Sequence, residues 1–508
     1  MLLFHLVLIS AVFSFFRGFM FRSNSDRGCD AYFFLMCAET FRDQKKLPIR
    51  LSPKLYLAEP QDQSYPPGFA IFLSLFPNEF LKKWHWLFSN SLDLVIHLVL
   101  FSFLFSTFGP IYAWIGGVIY ATSPFLAAEY ANMTSRPLGM IWLASFFLFT
   151  IAFVDKHSAW PLIGAILSGC LLFYTHKLAI QLTWFCVIFL GIFVDCYWFV
   201  PIILSYLFAF SLNPKLFTKI LIAHLDIISF WNRNRTRLGA HLVRNSKVYG
   251  GMDEGSSYYS LSGFKGFFLH LRRIFQFNPY ILVVAFSIVN WGMLSDFSQT
   301  FLWLMCAIYL WAFLTLFIPF LRCLGEGTKY IKYSIPLCIF VVVEGIYLND
   351  DLFFVITFLA ISAVQLFLYF FMWRSFLKDT SSTGVLSEDL QSVIQVLSQH
   401  SKPRLLCLPP HLCDIMAYHG RIPVWWGTHG YGFRWVEDYF PVLKKPVEDL
   451  MKDKGLTHLL VDTKYVSIDE LDLPDGVAVE FGSYVIFKPK DMFIGAKDSF
   501  EVGSCSQI

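Results

Sequence analysis

Charged residues are scarce in this sequence, and so is any cysteine pattern that would indicate a bound metal. Only 15% of the 508 residues are charged, against about 25% in a typical soluble protein. The 11 cysteines are scattered, without a Cys-x-x-Cys pair or a Cys/His spacing, which argues against a disulfide framework and a zinc site. The net charge of +3 is too small to indicate a nucleic-acid partner.

Hydrophobic residues are abundant instead, at 56% of the chain, and the mean hydropathy is +0.54. This composition predicts an α-helical integral membrane protein. Residues 1–16 lack the basic start and small-residue cleavage site of a signal peptide, so we interpret them as a first membrane anchor. Ten further stretches approach the roughly 20 residues that cross a bilayer, giving about eleven expected spans. These stretches are 86–107, 110–126, 137–154, 160–175, 178–194, 198–212, 279–294, 300–321, 333–348 and 352–373.

Two long polar segments interrupt the predicted membrane domain, which covers residues 1–374. They are residues 21–85 and 213–278. With eleven spans and an inner N-terminus, both segments and the C-terminal region lie on the outer side. The positive-inside rule favours the opposite orientation because the predicted inner connections are acidic, although long loops count less in that rule. The acidic residues are Asp155, Asp195, Asp296, Asp350 and Asp351.

The last part of the chain has the alternation of a small soluble α/β domain. A Ser/Thr-rich linker at 375–386 precedes it, and the predicted domain covers 387–508. Residues 404–408 and 458–461 are typical of buried strands, with a helix predicted at 447–454. Residues 477–481 and 484–487 predict a closing hairpin around Gly482.

The first polar segment combines acidic residues with an amphipathic pattern. Asp26 and Asp30 follow the first hydrophobic helix, and residues 64–68, Ser-Tyr-Pro-Pro-Gly, form a rigid turn before the next apolar stretch. Between them, apolar residues recur at helical spacing, which predicts a helix lying on the membrane surface. A carboxylate at the water–lipid boundary suits chemistry on a lipid-anchored molecule, and the alternative is an ordinary solvated loop. The apolar residues are Tyr32, Phe33, Leu35, Met36, Ala38 and Phe41.

Asp30-Ala31-Tyr32, followed by Leu-Pro-Ile-Arg at 47–50 and the turn at 64–68, resembles the first external loop of the GT-C glycosyltransferases. This superfamily includes protein O-mannosyltransferases, aminoarabinose transferases and oligosaccharyltransferase catalytic subunits. The resemblance implies a polytopic enzyme that uses a polyprenyl-phosphate-linked sugar, with Asp30 as the catalytic or metal-binding carboxylate and Asp26 as the reserve. Many members carry a second acidic residue beside this Asp, and here that residue is Ala31. A divalent metal is therefore possible as a cofactor but is not established.

The resemblance also implies site residues further along the chain. A basic-aromatic pair at the start of a late helix matches Lys329-Tyr330, with Tyr333 following, although Lys at a membrane edge commonly snorkels to the interface. His176, between two predicted spans, matches a site-facing His or Arg. We add Tyr32 and Tyr65 as candidate substrate-binding residues.

Other polar residues have weaker patterns. Arg272 and Arg273 lie among aromatic residues and could hold a lipid phosphate, although a helix on anionic lipid has the same composition. Glu129 and Arg136 flank an outer link, and we assign them no role. Inside the bundle, Asp93 and His97 share one helix face, and we expect a hydrogen-bonded pair that joins helices, as for Glu344.

The sequence therefore predicts a GT-C-like glycosyltransferase in a bacterial inner membrane, with its catalytic side outward. It would move a sugar from a polyprenyl phosphate or diphosphate to a lipid, glycan or protein acceptor. One alternative is an O-antigen ligase or polymerase, which relies on a late basic loop and lacks the early carboxylate. Another is a transporter or flippase, which favours internal symmetry that we do not find.

Overall fold

The computed structural model describes residues 1–23, 29–58, 62–235, 246, 248–249, 263–289, 291–325, 327–348, 352–379, 386–427 and 432–490. Asp26 lies outside the described residues. The helices are α1 Leu2–Ser23, α2 Cys29–Gln44, α3 Gly68–Ser74, α4 Asn78–Trp84, α5 Phe88–Phe108, α6 Pro110–Ala121, α7 Pro124–Tyr130, α8 Arg136–Lys156, α9 Ala159–Phe173, α10 Lys177–Phe193, α11 Phe199–Leu212, α12 Pro214–Arg233, α13 Gly263–Phe277, α14 Ile281–Val289, α15 Asp296–Phe317, α16 Ile335–Leu348, α17 Leu352–Asp379, α18 Glu388–Gln399, α19 Leu412–His419 and α20 Val447–Asp453. The strands are β1 Leu405–Leu408, β2 His458–Asp462, β3 Gly476–Phe481 and β4 Tyr484–Pro489.

The predicted multi-pass helical bundle is confirmed. Among the described residues, five helices are long and apolar enough to cross a membrane, or seven if each of two bent pairs forms one span. Shorter apolar helices occur at Leu2–Gly18, Ala159–Phe173 and Lys177–Phe193. The number of eleven spans stays a prediction. Helices satisfy their own backbone hydrogen bonds, as a chain in lipid must.

Two helix pairs bend at breaks that the sequence explains. α6 and α7 meet at 54°, where Pro124 begins α7 and has no N–H to continue the hydrogen-bond ladder. α11 and α12 meet at 119°, and the Asn213 side chain caps α12 by accepting from the Leu216 N–H. The second bend turns α12 away from the direction of α11, with Ile220 and Ile227 among its buried residues.

The C-terminal region contains a mixed sheet with the order β1-β2-β4-β3. β1 pairs with β2 in parallel, while β4 is antiparallel to both β2 and β3. The hairpin between β3 and β4 turns at Gly482, where φ is +56°, a conformation that favours glycine. The predicted strands and hairpin are therefore confirmed, with ends that differ by one or two residues.

The first polar segment adds a short extended stretch beside this sheet. The Leu57 N–H donates to the Val424 carbonyl at 3.0 Å, and the Val424 N–H donates to the Leu55 carbonyl at 2.8 Å. Val424 in turn bridges to Leu405 of β1. These backbone bonds place the first polar segment and the C-terminal region on the same side of the bundle, as the sequence predicts.

The helix predicted to lie on the membrane surface forms as α2, but it is buried. Every residue from Ala31 to Ala38 is at most 3% exposed, including Phe34 and Cys37 on the side opposite the predicted apolar face. α3 and α19 pack against α2 and cover it. The expectation of a surface helix was wrong because the amphipathic pattern does not reveal partners that lie far away in the sequence.

Candidate functional site

Five parts of the chain meet at one end of the bundle, beside α2, on the predicted outer side. They are the start of α2, the turn at 64–68, the link between α7 and α8, the turn between α9 and α10, and a 3₁₀ helix at Gly327–Ser334 that leads into α16. Their side chains form a group that we call the outer cluster. The outer cluster consists of Asp30, Tyr65, Glu129, Arg136, His176, Lys177, Lys329, Lys332 and Tyr333.

Close backbone approaches hold these parts together. The Gly68 N–H, at the end of the Tyr-Pro-Pro-Gly turn, donates to the Tyr174 carbonyl at 2.6 Å. A Cβ at Gly68 would lie 2.7 Å from that oxygen, so the turn reaches this position only with glycine. Gly139 of α8 is equally tight, because a Cβ there would lie 2.6 Å from the His176 Cβ.

Asp30 lies in the first turn of α2, where the helix dipole stabilises a carboxylate. Its charge acts on Tyr65, Arg136 and Lys177. The Tyr65 hydroxyl is 3.5 Å from the Ser135 Oγ. Burial, together with the Asp30 carboxylate, raises the pKa of Tyr65 to about 12, so this phenol stays protonated at neutral pH.

Glu129 links two cations. Its Oε2 accepts hydrogen bonds from the Arg136 guanidinium at 3.1 Å and from the Lys332 Nζ at 2.8 Å. The Lys332 side chain is fully buried, and those of Glu129 and Arg136 are 12% and 23% exposed. Lys329 also acts on Glu129. One carboxylate therefore holds two cations in place without neutralising both.

Lys332 lies in the same 3₁₀ helix as Lys329, three residues later. Side chains at positions i and i+3 eclipse one another in a 3₁₀ helix, so Lys329 and Lys332 share one edge. The resemblance pointed to Lys329, Tyr330 and Tyr333, so Lys332 was missed as a site residue, although its spacing of three from Lys329 was visible in the sequence.

His176 is a neutral hydrogen-bond acceptor in this cluster. Its Nδ1 lies 3.2 Å from the Tyr333 hydroxyl and accepts from the Ala179 N–H at 3.4 Å. Burial lowers the pKa of His176 well below its usual range, and the charges of Lys332 and Arg136 act in the same direction. With Nδ1 accepting, the single ring proton lies on Nε2.

Cations outnumber carboxylates in the described part of the outer cluster. Its two carboxylates, Asp30 and Glu129, face four cations contributed by the last three parts of the chain. Asp30 is only partly buried. A carboxylate beside several cations can deprotonate a hydroxyl while the neighbouring cations hold an anion. The four cations are Arg136, Lys177, Lys329 and Lys332.

The side chains of the outer cluster do not suit a divalent metal. Such ions take several oxygen ligands, and Glu129, one of the two carboxylates, is already paired with Arg136 and Lys332. Among the described residues, no group of three His, Cys, Asp or Glu side chains could hold a metal ion.

Two predicted site residues point elsewhere. The Tyr32 ring packs against the rings of Tyr418 and His419, with centroids 5.5 and 4.8 Å away. Tyr32 follows Asp30 by two positions, so the helix turns it to a different face. The Tyr330 hydroxyl donates to the Gln181 Oε1 at 2.8 Å, and this bond ties the 3₁₀ helix to α10.

The predicted basic pair, Arg272 and Arg273, lies on α13. Arg272 is exposed, and Arg273 is only partly buried. Arg322 and Arg273 both act on His270, which lies on the same helix as the pair. Their role in holding a lipid phosphate stays a prediction.

No protein-family profile and no curated protein matches the sequence. Solved structures do match in fold. The archaeal oligosaccharyltransferase AglB from Archaeoglobus fulgidus, in complex with an inhibitory peptide and a dolichol-phosphate, has a TM-score of 0.59 at 10% identity, over 98% of this chain and 75% of that one. The apo form of the A. fulgidus enzyme has a TM-score of 0.58 at 11% identity, over 91% and 69%. Its complex with Zn and sulfate has a TM-score of 0.57 at 12% identity, over 90% and 68%.

Identities of 10% to 12% establish similarity of fold alone. The matching region nevertheless extends over nearly the whole chain, including both the helical bundle and the C-terminal sheet. The chain therefore has the fold of the GT-C membrane glycosyltransferases, as the resemblance in its first polar segment predicts.

Proposed function

We propose that this protein is a membrane glycosyltransferase that moves a sugar from a polyprenyl phosphate or diphosphate to an acceptor hydroxyl or amide. One observation carries the proposal: a partly exposed carboxylate, Asp30, lies close to the cations Arg136 and Lys177 at one end of the helical bundle. The A. fulgidus enzyme with the same fold binds dolichol-phosphate, an anionic lipid of this class. The acceptor is a lipid, a glycan or a protein.

In the proposed reaction, Asp30 accepts the proton of the acceptor as its oxygen or nitrogen attacks the anomeric carbon of the sugar. The bond from that carbon to the phosphate oxygen breaks, and the phosphate leaves with the electron pair. Arg136 and Lys332 stabilise the negative charge that develops on the departing phosphate. The transition state resembles an oxocarbenium ion, which the nearby Asp30 carboxylate also favours.

We place the outer cluster on the non-cytoplasmic face of a bacterial inner membrane. The first polar segment, α12 and the C-terminal region share one side of the bundle, because Lys219 pairs with Asp62 at 2.6 Å and Arg233 with Glu437 at 2.7 Å. In this arrangement residues 1–374 form the membrane domain and residues 387–508 the soluble one. Labelling of a Ser467→Cys variant by an impermeant thiol reagent in intact cells tests the orientation.

The reaction is tested by replacing Asp30. Asn keeps the size of Asp but cannot accept the proton, so the transfer rate of purified Asp30→Asn protein should fall about 100- to 10,000-fold. The donor is the lipid-linked sugar that accumulates in cells from which the gene is deleted. The control is Asp43→Asn, which removes an exposed carboxylate at the other end of α2. A near-normal rate for Asp30→Asn would exclude Asp30 as the base.

A further inference from the structure

Aromatic rings and arginines are exposed together on one surface of the bundle. This surface is formed by α13 and by the 3₁₀ helix Pro319–Leu324, which follows α15, and we call it the α13 surface. α13 packs against the 3₁₀ helix Gly327–Ser334, which belongs to the outer cluster. The Phe267 ring of α13 lies 5.4 Å from the ring of Phe317, the last residue of α15. The α13 surface therefore lies at the same end of the bundle as the outer cluster, where a helix long enough to span the membrane ends.

α13 has a buried face and an exposed face. Its buried residues, spaced four apart, are Gly266, His270 and Ile274. This face is directed at the end of α15, because the His270 ring meets the Phe317 ring edge-on at 5.3 Å. On the other face Phe264 is 82% exposed and Phe268 is 60% exposed, and Arg272 follows one turn later. Rings this exposed, on a helix that already has a buried face, indicate contact with a molecule outside the chain.

The charges on the α13 surface have one sign. Arg322, on the 3₁₀ helix Pro319–Leu324, and Arg273 of α13 both act on His270, so the two arginines lie near the same point. Phe320, on the same 3₁₀ helix, is 61% exposed. Neither of these two helices contains an Asp or a Glu among its described residues. Exposed rings beside basic side chains match the boundary of an anionic membrane, where the rings lie between headgroups and the cations bind phosphates.

We propose that the α13 surface binds anionic phospholipids of the surrounding membrane. The guanidinium groups of Arg272, Arg273 and Arg322 contact the headgroup phosphate, and the rings of Phe264 and Phe268 lie at the start of the acyl chains. A guanidinium suits this role because it presents several N–H donors to a phosphate in one plane. The predicted basic pair thereby serves membrane lipid and not the donor phosphate. The inference concerns lipid binding and not the rate of sugar transfer, so it and the proposed function fail separately.

The test titrates phosphatidylglycerol into the purified full-length protein and counts the bound lipid by native mass spectrometry. Arg272→Gln removes one charge, and an Arg272→Gln, Arg273→Gln double variant removes two, while Arg272→Lys keeps the charge. Lys452→Gln, at an exposed position of α20, removes the same charge from the C-terminal region and is the matched control. Phosphatidylcholine is the zwitterionic comparison lipid, and undecaprenyl phosphate represents the donor lipid. Inorganic phosphate is the soluble competitor, with sodium chloride at equal ionic strength as its control.

We expect Arg272→Gln to bind phosphatidylglycerol about fivefold more weakly and the double variant about 25-fold more weakly, the effect of one and two charges at a membrane surface. Arg272→Lys and Lys452→Gln should bind it like the wild type. Binding of phosphatidylcholine and of undecaprenyl phosphate should be equal in all the proteins. Because Arg272 is exposed, its replacement should also leave thermal unfolding in detergent unchanged.

Unchanged phosphatidylglycerol binding by the double variant would overturn the inference. An equal loss of phosphatidylcholine binding would also overturn it, because the surface would then not select anionic lipid. If undecaprenyl phosphate binding were lost and phosphatidylglycerol binding were not, the basic pair would hold the donor phosphate instead. Displacement of phosphatidylglycerol by inorganic phosphate, but not by sodium chloride, would identify a site for the free anion and reject the membrane lipid.

Discussion

Two buried ionic groups lie in the same bundle, and their difference separates a candidate site from a structural contact. The outer cluster has more cations than carboxylates. A second group, which we call the inner cluster, consists of Arg17 of α1, Asp93 and His97 of α5, and Tyr120 of α6. In the inner cluster, one cation meets one carboxylate, with Arg17 and Asp93 3.5 Å apart and both fully buried.

The inner cluster makes hydrogen bonds and an ion pair between helices. Asp93 accepts from the Tyr120 hydroxyl at 2.6 Å, and His97 Nε2 lies 3.0 Å from the Gly117 carbonyl. The Arg17 guanidinium also donates to the Tyr120 carbonyl at 3.2 Å. That carbonyl lacks its usual helical donor because the residue four positions later is Pro124. The inner cluster thus joins three helices at the break between α6 and α7.

Burial and ionisable groups alone therefore do not identify a site. Both clusters contain a buried Arg or Lys, a carboxylate, a His and a Tyr. What distinguishes the outer cluster is that its described cations outnumber its carboxylates and that Asp30 is partly exposed. A transporter would instead be expected to use the intramembrane acid, Asp93.

The largest expected effect is the loss of stability when Asp93 of the inner cluster is replaced. Asp93→Asn retains a partner for Tyr120 but leaves Arg17 buried without a counter-charge, which should reduce the free energy of unfolding by about 3–5 kcal/mol. Thermal unfolding in detergent measures this loss. The activity of each remaining folded molecule should stay within about twofold of the wild type.

The control removes both charges. An Arg17→Met, Asp93→Leu double variant leaves no unpaired charge and should recover much of the lost stability. An Asp93→Asn protein that unfolds like the wild type yet has no transfer activity would show the opposite: the inner cluster would be the functional site and the outer cluster would not.

The next largest effect is expected at Lys332. Lys332→Met removes one cation from the departing phosphate and should lower kcat about 100- to 1,000-fold. Glu129 keeps Arg136 as its partner, so the free energy of unfolding should change less than in Asp93→Asn. The matched control is Lys265→Met, on an exposed position of α13. Equal rates for the Lys332→Met and Lys265→Met proteins would show that Lys332 does not act on the departing phosphate.

A smaller effect is expected at His176, which we regard as a positioning residue for Tyr333. His176→Gln keeps an acceptor near the place of Nδ1 but on a side chain of different shape, so the rate should fall by no more than about three- to tenfold, the value of one hydrogen bond. Because the folded protein holds the pKa of His176 well below its usual range, its imidazole is already neutral at neutral pH. The pH dependence of the rate should therefore be the same in His176→Gln and wild-type protein. Loss of an inflection near pH 6.5 in the variant would identify His176 as the base instead.

The sequence predicted the parts of the fold that depend on local patterns. Short apolar runs predicted the strands around residues 405, 458 and 484. The resemblance pointed to Asp30, His176 and Tyr333. The remainder depended on distant partners. Lys332 joins the outer cluster through Glu129, which lies 203 residues away in the sequence. Arg17 pairs with a residue on another helix, and no periodicity reveals that pairing.

The smallest loss of stability is expected at a partly exposed ion pair, Arg233 and Glu437. This loss is the value against which the losses at the two buried clusters are compared. The Arg233 guanidinium of α12 donates two hydrogen bonds to the Glu437 carboxylate of the C-terminal region, at 3.2 and 2.7 Å. The hydrogen bond from Arg233 lowers the pKa of Glu437 from its ordinary value of 4.5 to about 2. Exposed pairs contribute about 0.2–1 kcal/mol, so Glu437→Gln should reduce the free energy of unfolding by no more than that.

The sign of the pH dependence follows from the lowered pKa. Wild-type protein keeps the full contribution of Glu437 above pH 4.5, and the contribution is lost as the pH falls from 4.5 towards 2. Wild type and Glu437→Gln should therefore differ in urea midpoint at pH 7 and converge in acid. Glu448→Gln, an exposed position on α20, should match the wild type throughout. Suppose that Glu437→Gln reduced the free energy of unfolding as much as Asp93→Asn does. Burial would then not determine how strongly an ion pair stabilises this protein.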